Sequence, residues 1–286
     1  MKTIKHYLVL CRLPISLFAT CSALTGYLLA GSIPAVTIAF LAAGVFLLAC
    51  GASALNQFQE RDIDALMERT RLRPLPAGTM TSAHVLFVSM MLILAGLLLL
   101  GTLGWTSVMF GSFAIVWYNG LYTRLKRITA FAAVPGALVG ALPPVMGWAA
   151  GGGNLADPRV FALAMLFFLW QIPHFWLLLL RNAGQYEKAG LPTLTSILPL
   201  ELLARITLLW IAAAAVASLA MPLFGIVRSP YAYTLLVILA VWVSGSGLGI
   251  IRDNAATALL LAFRRVNIFI FLFMFIAVFD SFLLRG

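Results

Sequence analysis

Acidic residues are scarce in this chain: nine Asp and Glu among 286 residues, against nineteen Lys and Arg. Charged residues of both signs make up only 10% of it, and no hydrophilic segment is long enough to fold as a domain in water. That excludes an ordinary soluble enzyme, in which about 25% of residues are charged. Cysteine is sparse too. Cys11, Cys21 and Cys50 lie within or at the edge of apolar runs with no CxxC spacing, which excludes a disulfide framework and a thiolate metal knuckle and leaves them as small core residues. A cleavage pattern is also missing from the N-terminus, whose first apolar run is too long for a secretory signal, so a retained first helix is expected. With no room for a transit peptide, a bacterial plasma (inner) membrane is the expected location.

What the chain has is apolar length. Hydrophobic residues make up 63% of it and the mean hydropathy is +1.03. Runs able to cross a hydrocarbon layer of about 30 Å fall near 8–30, 33–56, 83–103, 105–121, 131–150, 158–180, 203–224, 231–251 and 263–284. The expected fold class is therefore all-α, a polytopic membrane bundle of about nine transmembrane helices. A formal charge of +10 raises nucleic acid as a partner, but its placement answers to lipid instead. One side of such a bundle would carry Lys2, Lys5, Arg12, Arg61, Arg69, Arg71, Arg73, Arg124, Lys126, Arg127, Arg181, Lys188, Arg205, Arg252, Arg264 and Arg265, and the other only Arg159, Arg228 and Arg285. Basic residues mark the cytoplasmic side, so the N-terminus is expected inside and the C-terminus outside. The longer polar segments, 57–82, 122–130, 181–202 and 252–262, all fall on that cytoplasmic side.

Three of these segments carry candidate chemistry. Asn56, Glu60 and Asp64, in NQFQERDIDALMERTRLRPLPAG (56–78), stand at i, i+4 and i+8, within about 80° of arc on a continuing helix; Asp62 points the other way. An amide oxygen and two carboxylates in line suit a hard cation such as Mg²⁺ whose remaining positions are filled by phosphate and water. Solvation of a helix end is the plainer alternative, but such a set at membrane depth is costly unless used. Arg69, Arg71 and Arg73 follow as a diphosphate would require. The second element, YNGLYTRLKR (118–127), reads as a positive-inside anchor in isolation; beside the acidic stripe, Arg124 and Lys126 can neutralise a departing diphosphate and Tyr122 can donate to it. In the third, WQIPHFWLLLLRNAGQYEKAGLP (170–192), His174, Arg181 and Gln185 share one helical face if the helix continues. His174 could bond a neighbouring helix, or contact a propionate, a metal or a substrate carbonyl. The polar extensions after the second and sixth spans also form a faint internal echo.

These elements, with GALVGALPPVMGW (136–148), resemble in order and spacing the UbiA-type intramembrane prenyltransferases, and within them the heme-farnesylating branch. The N-x-x-x-D-x-x-x-D pattern marks the superfamily; ALPPVMGW and the PHF element with its Tyr-x-x-x-Gly-x-Pro tail point to the branch. The resemblance implies one UbiA-type domain over 1–286, a bundle around a central cavity, and Mg²⁺ as cofactor. Its implied substrates are farnesyl diphosphate and protoheme IX, joined at a vinyl group with addition of water to give heme O. It implies metal–diphosphate positions for Asn56, Glu60 and Asp64, those of a YTxLKR element for Tyr122, Lys126 and Arg127, and the PH position, placing the heme, for His174; Arg69, Arg73 and Arg124 are expected beside the diphosphate, and Arg181, Gln185 and Tyr186 as further substrate contacts. A downstream heme-modifying enzyme or oxidase is the protein partner it leaves open. Two positions depart from the pattern: Glu60 stands where Asp is usual, and Gln185 replaces an Asp, leaving Glu187 as the nearest acid. The rival readings are a UbiA-type transferase acting on a quinone precursor, which normally carries a second Asp-rich motif absent here, and a non-catalytic heme-handling or transport protein.

Overall fold

Inside a bilayer each backbone N–H and C=O must be satisfied without water, so a chain this apolar can cross only as helices or as a closed barrel. The computed structural model describes residues 2–31, 34–252 and 256–283, and among them there is no strand. In chain order the helices are α1 (Lys2–Leu10), α2 (Leu13–Ala30), α3 (Ala35–Gln59), α4 (Arg61–Leu66), α5 (Ser82–Gly101), α6 (Trp105–Ile115), α7 (Thr123–Leu125), α8 (Ala133–Gly136), α9 (Leu138–Ala150), α10 (Pro158–Arg181), α11 (Ala183–Lys188), α12 (Leu200–Leu219), α13 (Pro230–Arg252) and α14 (Ala256–Leu283). Among the described residues, eight stretches are long and apolar enough to cross a membrane: α2, α3, α5, α8 with α9, α10, α12, α13 and α14. This is a multi-pass membrane protein.

The expected span at 105–121 is not among the eight, because its helix is interrupted. After α6 the chain adopts π-helical geometry over Val116–Tyr122 before one closing turn, α7. The first apolar run is also divided: α1 ends at Leu10, and Arg12 takes φ 45° and ψ 55°, the only left-handed non-glycine among the described residues. The polar segment expected at 252–262 is shorter than anticipated, since α14 begins at Ala256. Of the cysteines, Cys50 is buried and Cys11 half-buried, but Cys21 faces outward rather than into the core. Arg285, expected outside, lies beyond the described residues.

Large apolar side chains such as Phe87, Leu98, Val241 and Phe275 point away from the bundle, as they can where the surroundings are as apolar as Leu. Several hydroxyls within the spans are turned onto their own helices: those of Thr20, Ser22, Thr25 and Thr207 each donate to the carbonyl four residues back. Asp280, buried on α14, accepts from the backbone N–H of Arg228 and Ser229 and so ties α14 to the start of α13.

With little hydrophobic drive between helices in lipid, association rests on close backbone approach. The most extensive pairings join α3 to α5 and α2 to α9. At the α2–α9 crossing the approach is so tight that a Cβ on Gly26 would sit 1.9 Å from the Pro144 carbonyl oxygen, and one on Gly147 would sit 1.7 Å from that of Ala23. Since those atoms are backbone, they can give way only if a helix moves. Gly147→Val is therefore expected to destabilise the fold by at least the ~1–3 kcal/mol of an overpacked core, read as a lower thermal midpoint in detergent; an unchanged midpoint would contradict the packing described.

Candidate functional site

The second span delivers the acidic row. α3 ends at Gln59, Glu60 bends the chain at φ −108° and ψ 10°, and α4 resumes at once. The backbone bonds Glu60 N–H to Asn56 O (3.0 Å) and Asp64 N–H to Glu60 O (2.8 Å) carry the fourfold spacing through the bend. Asn56, Glu60 and Asp64 are all buried, with 1%, 4% and 1% exposure. Asp62 faces the opposite way, where Arg127 holds it in a bidentate pair at 2.9 Å and keeps its carboxyl below the usual range.

Buried carboxylates need counter-charges and a buried amide needs hydrogen bonds, and each of the three is met by a cation from a different part of the chain. The Arg12 guanidinium donates to Asn56 Oδ1 at 2.9 Å and to the Tyr118 hydroxyl at 3.2 Å. Lys126 Nζ pairs with Glu60; burial pulls its pKa down while Glu60 opposes the shift. Arg73 donates to Asp64 Oδ2 at 2.6 Å. The left-handed turn at Arg12 and the turn that follows the π-helical stretch bring the first two cations to the row. Asn56 Nδ2 donates to Thr123 Oγ1 (3.1 Å), whose hydroxyl donates to Tyr118 O (2.9 Å). Gln59 Nε2 donates to Asn119 O (3.0 Å), while Asn119 Nδ2 returns a bond to Gln59 Oε1 (3.2 Å). The amides thus fasten α3 to the π-helical segment.

Above the row the two polar loops meet. The Arg69 backbone N–H donates to Gln185 Oε1 at 3.1 Å and its guanidinium to the Tyr186 hydroxyl at 3.2 Å. Gln185 does not share a continuous helical face with His174 and Arg181 as expected, because Asn182, at φ −121° and ψ 15°, ends α10 before α11 starts. Glu187 accepts from the Thr195 and Thr193 hydroxyls, which lower its pKa, so the nearest acid is engaged outside the row. Arg124 is exposed, and Arg127 spends its second nitrogen on both Asp62 and the Gln59 carbonyl.

Beside the row lies an aromatic column. Tyr122 stacks on Tyr118 (centroids 5.9 Å apart) and on Phe175 (5.5 Å), with Lys126 Nζ 5.9 Å from its ring centre. Gly136 makes room for it, since a Cβ there would fall 2.4 Å from the Tyr122 ring. His174, next to Phe175, is half-buried between Trp170 and Phe263, both at 5.1 Å, and its Nδ1 lies 2.7 Å from Asn267 Oδ1. The Arg181 guanidinium lies 5.8 Å from the centre of the same Phe263 ring.

Arg12, Tyr118, Asn119, Thr123 and Asn267 were not anticipated as site residues. Arg12 had a sequence signal, a charge inside the apolar run YLVLCRLPISLF. The others, Tyr118, Asn119, Thr123 and Asn267, are uncharged polar residues that each also meet a partner far away in sequence, and no spacing announces them.

A helical membrane bundle with an oxygen-rich row, facing cations and an aromatic column defines the class of intramembrane transferases that act on diphosphate esters. The chain belongs to the UbiA prenyltransferase family, whose model matches residues 19–277. Among curated relatives it is 43% identical to the protoheme IX farnesyltransferase of Geobacter sulfurreducens over 77% of this chain and 81% of that protein. It is 39% identical to the protoheme IX farnesyltransferase of Oleidesulfovibrio alaskensis over 93% and 92%. Solved structures share the fold: one of digeranylgeranylglyceryl phosphate synthase matches with a TM-score of 0.78 at 15% identity, covering 98% of this chain and 99% of that one. A UbiA homologue from Archaeoglobus fulgidus bound to GPP and Mg²⁺ matches with 0.60 at 16% identity, covering 96% and 99%.

The Arg12 guanidinium donates to the buried Asn56 Oδ1 and the Tyr118 hydroxyl, and leaving a buried polar group without its hydrogen bond costs about 1–3 kcal/mol. Arg12→Met is expected to lower the thermal midpoint of the purified protein; a wild-type midpoint would contradict these contacts.

Proposed function

We propose that this chain transfers the farnesyl group of farnesyl diphosphate to a vinyl side chain of protoheme IX, with addition of water, releasing diphosphate and giving heme O. The observation that carries this reading is the buried row Asn56, Glu60 and Asp64 faced one for one by Arg12, Lys126 and Arg73. The names and near full-length match of the relatives support the choice of acceptor.

The donor set fits Mg²⁺, a hard cation that takes one or two carboxylates from the protein and the rest of its shell from phosphate and water. Among the described residues no three His, Cys, Asp or Glu side chains form a complete cage, which suits a cation arriving with its diphosphate. Arg12 Nε is buried without an acceptor, a donor available to a phosphate oxygen. Asn56, Glu60 and Asp64 would hold Mg²⁺, which supplies charge neutralisation to the leaving diphosphate. Arg12, Arg73 and Lys126 then turn from the row to the diphosphate, joined by Arg69 and Arg124, while the Tyr122 hydroxyl donates to it. Gln185 and Tyr186 hold Arg69 over the row, and Arg127, clamped to Asp62, fixes the α7 end against α4.

Together these donors stabilise charge that develops as the allylic C–O bond breaks. The aromatic column of Tyr118, Tyr122 and Phe175 would offer π density to the farnesyl cation from the ring faces at its ends, Tyr118 and Phe175. The electron-rich vinyl group attacks that cation, and water captures the porphyrin-stabilised cation that results, losing a proton. His174 and Arg181 place the heme, Arg181 at a propionate. The row lies at the end of the bundle rich in Lys and Arg, which supports an active site toward the cytoplasm of a bacterial inner membrane with the N-terminus inside. Asp64→Ala is expected to lower heme O formation by at least about 100-fold while membrane insertion is unchanged, measured by chromatography of hemes from isolated membranes. A wild-type rate would remove Asp64 from the site.

A further inference from the structure

Asn267 lies outside every motif in the chain, yet its side chain is fixed at both ends. Its Nδ2 is 2.6 Å from the Phe263 carbonyl, one turn back on α14, and its Oδ1 is 2.7 Å from His174 Nδ1. A backbone carbonyl can only accept, so the amide nitrogen must face Phe263 and the amide oxygen must face the imidazole. That oxygen can only accept in turn. His174 Nδ1 therefore carries a proton, and in the neutral imidazole Nε2 keeps its lone pair. Among the described residues no hydrogen bond is made to Nε2.

We infer that Asn267 is a positioning residue that fixes the His174 tautomer and ring plane so that Nε2 serves as an axial ligand to the iron of the heme substrate. A metal-bound imidazole almost always donates its other N–H to an acceptor, which fixes the tautomer and raises the basicity of the ligating nitrogen. Here that acceptor is in place before any heme arrives. Trp170 and Phe263 hold the ring from two sides. Arg181, seven residues further along α10 and in contact with the same Phe263 ring, stands about 10.5 Å away along the helix. One porphyrin could then meet an axial base near its centre and a cation at its carboxylate edge. Phe175 places this ring next to Tyr122 and the diphosphate side. The inference rests on protoheme being the acceptor.

The test compares binding of ferric protoheme IX and of metal-free protoporphyrin IX to the full-length protein in lipid nanodiscs. In the wild type, bound protoheme is expected to give an imidazole-ligated optical and EPR spectrum that His174→Ala loses. Asn267→Leu is expected to raise the Kd for protoheme about 10–100-fold, leave that for protoporphyrin within twofold, and alter the ligation spectrum. Asn267→Asp, which keeps an acceptor oxygen facing Nδ1 but gives up the donor to the Phe263 carbonyl, is expected to recover part of the affinity that Asn267→Leu loses. Equal weakening of both porphyrins by Asn267→Leu, or a His174→Ala spectrum like that of the wild type, would overturn the inference while leaving heme as the substrate. A wild type that binds neither porphyrin would overturn the substrate reading and the inference with it.

Discussion

Two buried carboxylates in line with a buried amide cannot remain in a membrane protein without positive charge and hydrogen-bond donors beside them, and much of the local architecture supplies both. Asn56 has Arg12, Glu60 has Lys126 and Asp64 has Arg73. Each cation comes from a different part of the chain, so the row acts as a fastening point for the N-terminal junction, the end of α7 and the loop after α4. Irregular backbone is spent where this requires it. The left-handed turn at Arg12 and the π-helical stretch before Lys126 are costly forms, and both end on a cation of the set. On the function proposed, these pairs are also the groups that would turn to a metal–diphosphate complex, so stability and binding would draw on one network.

The rest of the bundle holds that network still. The glycines at the α2–α9 crossing let two helices touch backbone to backbone, and α2 carries Arg12 at its start. α3, which carries the row, packs along α5, where the Ser89 hydroxyl donates to the Gly51 carbonyl. On the other side α10 presents His174 and Phe175 from a core shared with α12, α13 and α14. α2 and α9 contribute to this core as well as to the one they share with α3 and α5, and the Arg69 contacts with Gln185 and Tyr186 join the two polar loops.

Much of this was legible in the sequence because it is periodic or charged. Fourfold spacing put Asn56, Glu60 and Asp64 on one face and Asp62 on the other, and the backbone keeps that register even through the bend at Glu60. Apolar length located eight spans, but it could not reveal that the stretch at 105–121 changes helical geometry, since a π turn leaves no compositional mark. Continuity of α10 into Gln185 was assumed and fails at Asn182. Arg12 was counted as a topological charge, because its role depends on a backbone turn and on partners 44 and 106 residues away. Asn267 is invisible for the same reason: it is one polar residue in an apolar helix, and its meaning comes from what α10 places opposite it.

The central claim is that this site joins a farnesyl group to protoheme. Its most direct test is the pigment extracted from membranes of a host lacking its own heme farnesylation, with this chain expressed, separated by reverse-phase chromatography with mass detection. The account predicts a new, more hydrophobic heme whose mass exceeds that of protoheme by one farnesyl group plus the elements of water. Protoheme alone, from membranes that contain the folded protein and farnesyl diphosphate, would contradict it.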